Sequence, residues 1–576
     1  MAFIDGSVVN IALPVLQARL GASAAGAQWV VEAYSLALSS LVLTGGTLAD
    51  RLGRRRVFSA GTILFAVSSL ACALSPSVGW LIATRAVQGI GGALLVPSSL
   101  AVLSAAFGDR ERGRAVGAWS ALTSIAMAIG PALGGWLVET ISWRAVFFVN
   151  LPIAAAVLAI AAAKIPETRS DTVGALDVAG AVLATAGLGG LVYGLIEAPT
   201  AGWGSARSLG PVLLGLAALA AFVMVELRSD SPMVPPSIFR FRTFTAANLL
   251  TFFLYSALAA VLFFLPFALI QARGYSPAAA GASILPLVIL VGALSRPAGA
   301  LADRIGPRLP LTVGPLVAAG GYVLLALGRG EAPYAASVLP GLAVLGLGMA
   351  IVVAPLTATV LNAAGAGHSG TASGISNAVA RVAALLAVAI VGVVALAVFS
   401  RALSSRIDAL DLPPALRSVM VAQSGSLGDV SIPAGASADQ VHALEGAVGE
   451  SLVTCFRWVA ILAALLAIAG GIAAAVTLEP TPTRIATADT PAPPSCAHVA
   501  LVSTVSPRSP GCEECLRTGS RWVHLRVCLS CGFVGCCDAS KNRHATAHFW
   551  ATKHPIVRSL EPGESWRWCY LDETAV

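Results

Sequence analysis

The stretch GGTLADRLGRRRVF at residues 45–58 recurs in degenerate form as AGALADRIGPRLP at residues 298–310. Each copy follows an apolar run of helical length, and the acidic residues Asp50 and Asp303 occupy the same place in the two copies. One basic loop after an apolar helix would be ordinary. Two copies in corresponding loops indicate an internal repeat, which is typical of a membrane transporter built from two halves.

The composition agrees with a chain that lies mostly in lipid. The 576 residues are 57% hydrophobic and 11% charged, with a mean hydropathy of +0.82. A soluble protein is about 25% charged and a disordered chain is far less apolar, so both classes are excluded. The sequence predicts an all-α polytopic membrane protein with about 14 transmembrane helices. They are placed at roughly 1–16, 28–48, 57–75, 79–104, 116–138, 145–163, 176–196, 209–227, 245–270, 278–295, 311–327, 335–360, 375–399 and 453–477.

The first predicted helix is unusually short, because Met1 already stands inside the apolar stretch MAFIDGSVVNIALP. About half of a span is missing, so we expect a truncated or misassigned start. The stretch does not look like a signal peptide, since it has neither a basic leading region nor a cleavage site.

Basic residues in the short loops predict the orientation. Loops after even-numbered predicted helices, up to the tenth, hold 15 Arg or Lys residues, and loops after odd-numbered ones, up to the eleventh, hold five. Because positively charged loops stay in the cytoplasm, both termini are predicted to be cytoplasmic in a multi-pass protein of the cell membrane. This bias explains most of the net charge of +7 without a nucleic-acid partner. The 33 arginines against three lysines indicate GC-rich, bacterial coding.

The cysteines separate a tail from the membrane part. Eight of the ten cysteines and five of the seven histidines lie within 496–576, after a Pro-, Thr- and Ala-rich stretch. We therefore expect a membrane domain at 1–477, a linker at 478–495 and a small cytoplasmic α+β domain at 496–576.

The tail has the spacing of structural zinc sites. It contains CEEC (512–515) and CLSC (528–531), and His544 and His548 would share one helix face. A disulfide framework is the alternative reading of so many cysteines. The reducing cytoplasm argues against it.

The membrane domain resembles the major facilitator superfamily, and more narrowly its fourteen-helix drug:proton antiporter family. The resemblance implies bundles at 1–163 and 245–477, two extra helices within 176–227, a central cavity and alternating access. It implies export of hydrophobic or amphipathic small molecules, such as drugs, in exchange for protons, and leaves the substrate open. It rests on the repeated loops and on IDGSVVNIALP (4–14), QWVVEAYSLAL (28–38), TRAVQGIGGALLVP (84–97), GPALGGWLVE (130–139) and SWRAVFFVNLP (142–152).

Carboxylates at lipid depth can bind and release protons near neutral pH, which makes Asp5 and Glu32 candidates for proton coupling. The resemblance places Asp5 at the family's acidic position, Arg85 at its buried, proton-linked arginine, and Arg381 where the family usually has an arginine. Arg85 can hold a carboxylate ionised when near it and let it protonate when apart. Each of these residues also has a purely structural explanation. Asp5 could stand at the end of a helix, Glu32 could lie near the outer interface of the membrane, and Arg85 could form an ion pair that only stabilises packing.

Two further sets of residues are expected to support the conformational change. The repeated loops would act as switches through Asp50, Arg51, Gly53, Arg54, Asp303 and Arg304. The resemblance makes Gly130, Pro131, Gly134 and Gly135 the exporter motif at the bundle interface. Close packing of small residues is an equally valid reading of that motif.

The tail resembles the ubiquitin-protease-type zinc finger, which implies two to three structural zinc ions. Matching positions gives three ligand sets, with Asp572 standing where the family often has cysteine: Cys512, Cys515, Cys536 and His544; Cys528, Cys531, His548 and His554; and Cys496, His498, Cys569 and Asp572. Cys537 and His524 are left over. Eukaryotic members hold the ubiquitin carboxylate with an arginine, but Asp538 stands at that position and would repel it.

We predict a proton-coupled exporter with an accessory zinc-binding domain. No enzymatic activity is expected, because the tail has no nucleophile–base arrangement apart from the predicted ligands. The alternative is a transporter-derived sensor or scaffold whose zinc finger recruits a protein, with the tail tryptophans forming either a peptide groove or simply the core. Metal transport is disfavoured, since the predicted spans contain no His/Asp/Cys cluster.

Overall fold

The computed structural model divides the chain into two compact units, Met1–Thr483 and Arg484–Val576. Of the predicted linker at 478–495, only Leu478 is among the described residues. Most of the predicted fifth helix before residue 129 also lies outside them. The described residues are 1–106, 122–123, 126, 129–168, 177–229, 232–328, 332–363, 369–425, 430–433, 436–478, 496, 498–499, 502, 505–538, 540–561, 564, 566–572 and 574–575.

The first unit is predominantly helical in its described part. Its helices are α1 (Ala2–Leu20), α2 (Ala24–Leu52), α3 (Arg54–Ala73), α4 (Val78–Ala106), α5 (129–140), α6 (Ala145–Phe148), α7 (Asn150–Lys164), α8 (Val178–Ala201), α9 (Ala206–Arg228), α10 (Arg242–Ile270), α11 (Pro277–Ser283), α12 (Leu285–Ile305), α13 (Arg308–Leu327), α14 (Tyr334–Ser337), α15 (Leu339–Ala363), α16 (Ser369–Ala409), α17 (Pro414–Ala422) and α18 (Ala438–Thr477). Short 3₁₀ turns occupy Pro236–Arg240 and Gln423–Gly425.

Within the described residues, 12 helices are long and apolar enough to cross a membrane, which confirms a polytopic helical protein. They correspond to all the predicted spans except the first and the fifth. The first is a helix of 19 residues, α1, which ends at Gly21 in the left-handed conformation. Such a C-cap satisfies the last carbonyl groups of a helix.

The region 400–452 lies between the predicted helices at 375–399 and 453–477, and its described part is largely helical, so the predicted end of the first and start of the second were wrong. α16 continues to Ala409 and α18 already begins at Ala438. The extension of α16 is amphipathic, since Phe399, Leu403 and Ile407 recur every four residues and are fully buried. A search for continuous apolar runs does not detect such a pattern.

The helix pairs within each half pack closely. In the first half, α4 packs against α2 and α3, and in the second α18 packs against α10 and α13. α8 and α9 pack on each other, and α8 also contacts α2 and α16, one helix from each half. The pair α8–α9 therefore borders both halves.

The second unit confirms the predicted small α+β domain. A five-stranded antiparallel sheet has the order β2-β1-β3-β4-β5, with strands Leu525–Cys528, Val534–Cys536, Ile556–Ser559, Arg567–Cys569 and Thr574–Ala575 numbered along the chain. Helices α19 (Glu513–Thr518) and α20 (His544–Thr552) accompany it. Its apolar core is small, built around Val527, Val534 and Ile556, so a domain of this size benefits from metal crosslinks.

Candidate functional site

A buried ion pair joins α1 to α4. Arg85 Nη1 donates to Asp5 Oδ2 over 2.5 Å, and the two side chains are 1% and 0% exposed. The second carboxylate oxygen, Oδ1, accepts hydrogen bonds from Gln88 Nε2 at 3.0 Å and Asn150 Nδ2 at 3.1 Å. A buried charge is tolerated only when it is paired and hydrogen-bonded. Asp5 meets both conditions, because Arg85 pairs with its carboxylate and Gln88 and Asn150 donate hydrogen bonds to it.

Arg85 is held on several sides. Its Nε donates to the Val30 carbonyl at 3.1 Å and its Nη1 also donates to Gln88 Oε1 at 2.8 Å. The guanidinium lies 4.2 Å from the centre of the Tyr34 ring, a cation–π contact. Val30 and Tyr34 belong to α2, so this network connects α1, α2, α4 and α7.

Three polar partners in this network were not singled out from the sequence, namely Gln88, Asn150 and Tyr34. All are buried, and Asn150 also donates to Ser69 Oγ at 3.0 Å. The available signal was their occurrence inside otherwise apolar spans, where polar side chains are costly and usually functional.

Glu32 lies outside this network. It is 1% exposed, and neither carboxylate oxygen has a hydrogen-bond partner among the described residues. Arg381 on α16 interacts electrostatically with Tyr34. The structure therefore brings Asp5, Arg85 and, through Tyr34, Arg381 to one region, and leaves Glu32 apart.

The first repeated loop is anchored by a residue that sequence reasoning missed. Asp50 pairs with Arg54 at 2.8 Å, while Arg51 is exposed. Glu167, from the segment after α7, accepts from the backbone amides of Arg55 at 3.1 Å and Arg56 at 3.2 Å. These amides open α3, where a carboxylate is favoured by the helix dipole.

Gly53 makes room for that contact. Its φ of +109° suits glycine, and a Cβ there would overlap the Glu167 carboxylate. In the second loop, Gly306 has φ +84° at the end of α12 and Arg304 is exposed. The side chain of Asp303 lies outside the described residues.

The GPALGG motif forms a close contact between the two halves. Gly135 packs against the Pro277 carbonyl, and Gly281 packs against the Pro131 carbonyl, so α5 and α11 meet backbone to backbone. Glu139 accepts a hydrogen bond from the Ala278 amide at 3.0 Å. Gly130 and Gly134 similarly admit Ser7 and Val8 of α1.

We predict that Gly135→Ala disrupts this contact. The added methyl would collide with the Pro277 carbonyl, and overpacking of this kind costs about 1–3 kcal/mol. Gly292→Ala on α12 is the matched control, since its Cβ would meet nothing within 4 Å. We expect a lower Tm in detergent and at least a fivefold slower efflux for Gly135→Ala alone; equal behaviour of the two variants would contradict the contact.

Small cavities lie between the described helices of the first unit, and two of them bear on the site. One, of about 90 Å³, is lined by polar groups of α10, α15 and α16 that include Thr251, Tyr255 and Asn377. The other, of about 40 Å³, is lined by Phe263, Phe264 and Phe267 of α10 and by glutamines of α1 and α2. Their linings combine apolar and polar groups without a charged side chain, but both volumes are well below the roughly 300–1,000 Å³ of a drug-sized site.

The tail gathers three groups of four side chains, and they are the three predicted ligand sets. Within each group all ligand atoms lie within 4.8 Å of one another. In the first, the sulfurs of Cys512, Cys515 and Cys536 stand 3.2, 3.3 and 3.5 Å from His544 Nδ1. In the second, Cys531 Sγ is 3.3 Å from His548 Nε2.

The third group contains a carboxylate. His498 Nδ1 lies 3.5 Å from Cys496 Sγ, 3.6 Å from Cys569 Sγ and 2.9 Å from Asp572 Oδ2. Tetrahedral zinc, with Zn–S of about 2.3 Å and Zn–N of about 2.0 Å, sets its ligand atoms about 3.5–3.8 Å apart. The sulfur–nitrogen distances of 3.2 to 3.6 Å in the three groups are close to this spacing, and Cys/His donor sets are those that zinc prefers.

The two residues left over from these groups meet each other. Cys537 Sγ lies 3.8 Å from His524 Nδ1 and 3.6 Å from Ser540 Oγ. A thiol–imidazole pair thus exists apart from the three groups, contrary to the expectation that the tail has no such arrangement.

Sequence profiles identify relatives of both units. The profile "Major Facilitator Superfamily" matches residues 1–388, and "Zn-finger in ubiquitin-hydrolases and other protein" matches residues 512–576. The "Multidrug resistance protein Stp" of Mycobacterium tuberculosis is 35% identical over 421 residues, 73% of this chain and 78% of Stp. The "Tetracenomycin C resistance and export protein" of Streptomyces glaucescens is 35% identical over 396 residues, 68% of this chain and 73% of that protein.

A solved structure shares the fold. It is a bacterial homolog of the human lysosomal transporter Spinster, crystallised in an inward-facing and unoccupied conformation. It is 17% identical, covers 82% of this chain and 94% of its own, and gives a TM-score of 0.51.

Proposed function

The chain belongs to the major facilitator superfamily, and on that premise we propose that it exports hydrophobic or amphipathic drug-like molecules in exchange for protons. The observation that carries the proposal is the buried Asp5–Arg85 pair with its amide partners. The drug-resistance and export functions named for the two relatives support the cargo class.

The geometry of the pair suggests how a proton and a conformational change are linked. Both oxygens of Asp5 already accept hydrogen bonds, so a proton arriving at Oδ2 would point at the Arg85 guanidinium. Protonation therefore requires Arg85 to withdraw, which breaks the ion pair between α1 and α4 and leaves Gln88 as the hydrogen bond that still joins α4 to Asp5. When Arg85 leaves Asp5, the Val30 carbonyl and Gln88 Oε1 remain as acceptors. The guanidinium therefore stays hydrogen-bonded while the ion pair is broken.

Other predicted residues contribute to the proposed transport cycle. The second proton carrier is Glu32, which is buried without a hydrogen-bond partner in the described structure. Arg381 interacts through Tyr34 with the Asp5–Arg85 pair and responds to a change in its charge. The loops at Asp50 and Asp303 act as switches, and the α5–α11 contact closes one end of the path. Even-numbered loops face the cytoplasm, because they carry the excess of basic residues.

The tail would act as a zinc-stabilised accessory domain without catalytic activity. Its three groups would hold structural zinc, which crosslinks strands and helices and adds no redox chemistry. In the first group, the ion would join α19, β2 and α20 through Cys515, Cys536 and His544.

The test is gradient-driven efflux. The full chain is reconstituted in vesicles loaded with a fluorescent lipophilic cation, and efflux is followed with and without an imposed pH gradient. We expect the gradient to accelerate efflux and an ionophore that collapses it to abolish the acceleration. If no compound of a broad panel shows gradient-driven efflux, the sensor or scaffold alternative replaces the exporter.

A further inference from the structure

A pair of carboxyl groups joins the beginning of α8 to the end of α9, apart from the Asp5–Arg85 network. Asp177 is the N-cap residue of α8, and its Oδ1 accepts a hydrogen bond from the Gly180 amide at 2.7 Å. Glu226 lies in the last turn of α9 and is 4% exposed. Both helix ends adjoin loops that the excess of basic residues predicts to be cytoplasmic.

The second of these carboxyl groups holds the segment at 232–241, which leads from α9 to α10. Glu226 Oε2 accepts a hydrogen bond from the Val234 amide at 3.0 Å, and the Met233 amide also acts on this carboxyl group. Met233 Sδ in turn accepts a hydrogen bond of 3.5 Å from Thr44 Oγ1 of α2. Glu226 therefore fixes the connection between the α8–α9 pair and the half that begins with α10.

One oxygen of each carboxyl group is left without a donor. Asp177 Oδ2 and Glu226 Oε1 are buried, and neither has a hydrogen-bond partner among the described residues. The two side chains nevertheless interact, both as charges and through a hydrogen-bonding contact. Ionised carboxylates are acceptors only, and like charges at short range disfavour each other in a buried site. The contact is therefore favourable only when the two oxygens share a positive group.

A proton fits this place better than a metal ion. Ca²⁺ takes about 6–8 oxygen ligands and Mg²⁺ requires near-octahedral geometry, whereas backbone amides already occupy one oxygen of each carboxyl group. Since carboxyl pairs in proteins can share one proton, the donor-free oxygens of Asp177 and Glu226 are suited to a hydrogen bond between a neutral acid and a carboxylate.

The helix ends decide which of the two groups carries the proton. α8 packs against α9 and contributes Asp177, the charged side chain that acts on Glu226 electrostatically in the described part of the chain. From α2 the neutral Thr44 approaches through Met233, and Arg228 of α9 is exposed. The opening of α8 stabilises an ionised Asp177, while the closing turn of α9 disfavours an ionised Glu226. The proton therefore belongs on Glu226, which donates it to Asp177.

We propose that Asp177 and Glu226 form a proton-binding site, separate from the Asp5–Arg85 pair, that holds the segment at 232–241 in place while the proton is bound. With the proton, Glu226 bonds to Asp177 and still accepts from the Val234 amide. Without it, the two carboxylates repel each other and release the segment from the end of α9. The segment is thus held in acid and released in alkali. The inference holds whether or not Asp5 carries the coupled proton.

Hydrogen–deuterium exchange of the full, zinc-loaded chain in detergent tests the release of the segment. Uptake by peptides containing Met233 and Val234 is measured in acidic and alkaline buffers and corrected for the intrinsic pH dependence of exchange. We expect their protection to fall at least tenfold from acid to alkali in the wild type. In Glu226→Gln the amide group can accept from Val234 and donate to Asp177, so protection should change less than twofold. Glu445→Gln, at an exposed carboxylate of α18, is the matched control and should behave as the wild type does.

Infrared difference spectroscopy tests the proton itself. The difference between acid and alkali should contain the carbonyl band of one neutral carboxylic acid that is absent from Glu226→Gln and retained in Glu445→Gln. Asp177→Asn should behave as Glu226→Gln does, because its amide group can accept from Gly180 and donate to Glu226. Tm in detergent verifies that each variant is folded.

Three outcomes would overturn the proposal. The first is protection of the segment that does not change with pH in the wild type. The second is an equal change in Glu226→Gln and the wild type. The third is recovery of protection in alkali on addition of Ca²⁺ or Mg²⁺, which would make the pair a metal site.

Discussion

Asp5→Asn is expected to abolish the acceleration of efflux by a pH gradient, a loss of at least a hundredfold in the gradient-dependent rate. Asparagine can still accept hydrogen bonds from Gln88 and Asn150, but it can neither carry a proton nor balance the charge of Arg85. The measurement is the initial efflux rate from vesicles with and without the gradient. Exchange of labelled for unlabelled substrate across equal pH should persist, because it needs no net proton movement.

Two controls separate coupling from folding in this experiment. Leaving Arg85 without its carboxylate costs about 3–5 kcal/mol, so Tm in detergent is measured alongside transport. Asp411→Asn removes an exposed carboxylate just before α17 and should leave both properties unchanged. If Asp5→Asn retains a gradient-driven rate within threefold of wild type, Asp5 does not carry the proton.

Removing zinc is expected to unfold the tail. The full chain should hold three zinc ions, and Cys512→Ala should lower this to two, since the remaining three ligands of that group leave the tetrahedral site incomplete. Structural zinc contributes an apparent free energy of about 10–16 kcal/mol in small domains, which is as large as the whole stability of an ordinary domain, about 5–15 kcal/mol. Chelation should therefore expose residues 512–572 to rapid proteolysis.

Zinc content per chain, measured by plasma mass spectrometry, checks this prediction. Cys537→Ala is the matched control, because its sulfur belongs to none of the three groups and the count should stay at three. If the wild type holds two zinc ions per chain, the group containing Asp572 does not bind zinc. If it holds one, the ligand assignment as a whole is wrong.

The sequence predicted most of the fold, because membrane spans are read from apolar length alone. The ion pair was predicted only as two separate candidates. Asp5 and Arg85 are 80 residues apart, and nothing local to either indicates that Gln88 and Asn150 complete the same carboxylate. Such partners depend on how four helices cross, which is set by packing.

The errors have the same origin. The extension of α16 beyond the apolar run is stabilised by Phe399, Leu403 and Ile407 on one face, so its length is decided by a neighbouring surface. A capping box at Ser437 and Gln440 marks the start of α18, and this signal was present in the sequence. In the tail, the spacing of the ligands and the family resemblance were sufficient to predict the three groups. The contact between Cys537 and His524 could not be predicted in this way, because the folded sheet brings the two residues together.

The contact with Glu167 makes the first repeated loop sensitive to ionic strength. Its carboxylate is partly exposed, at 27%, and it is held by the opening amides of α3 and by the nearby Arg55 and Arg56 side chains. Attraction between partly exposed charges weakens as ions accumulate around them. We therefore expect turnover to change with ionic strength on the side of this loop, and we expect Glu167→Gln to show a smaller change than the wild type.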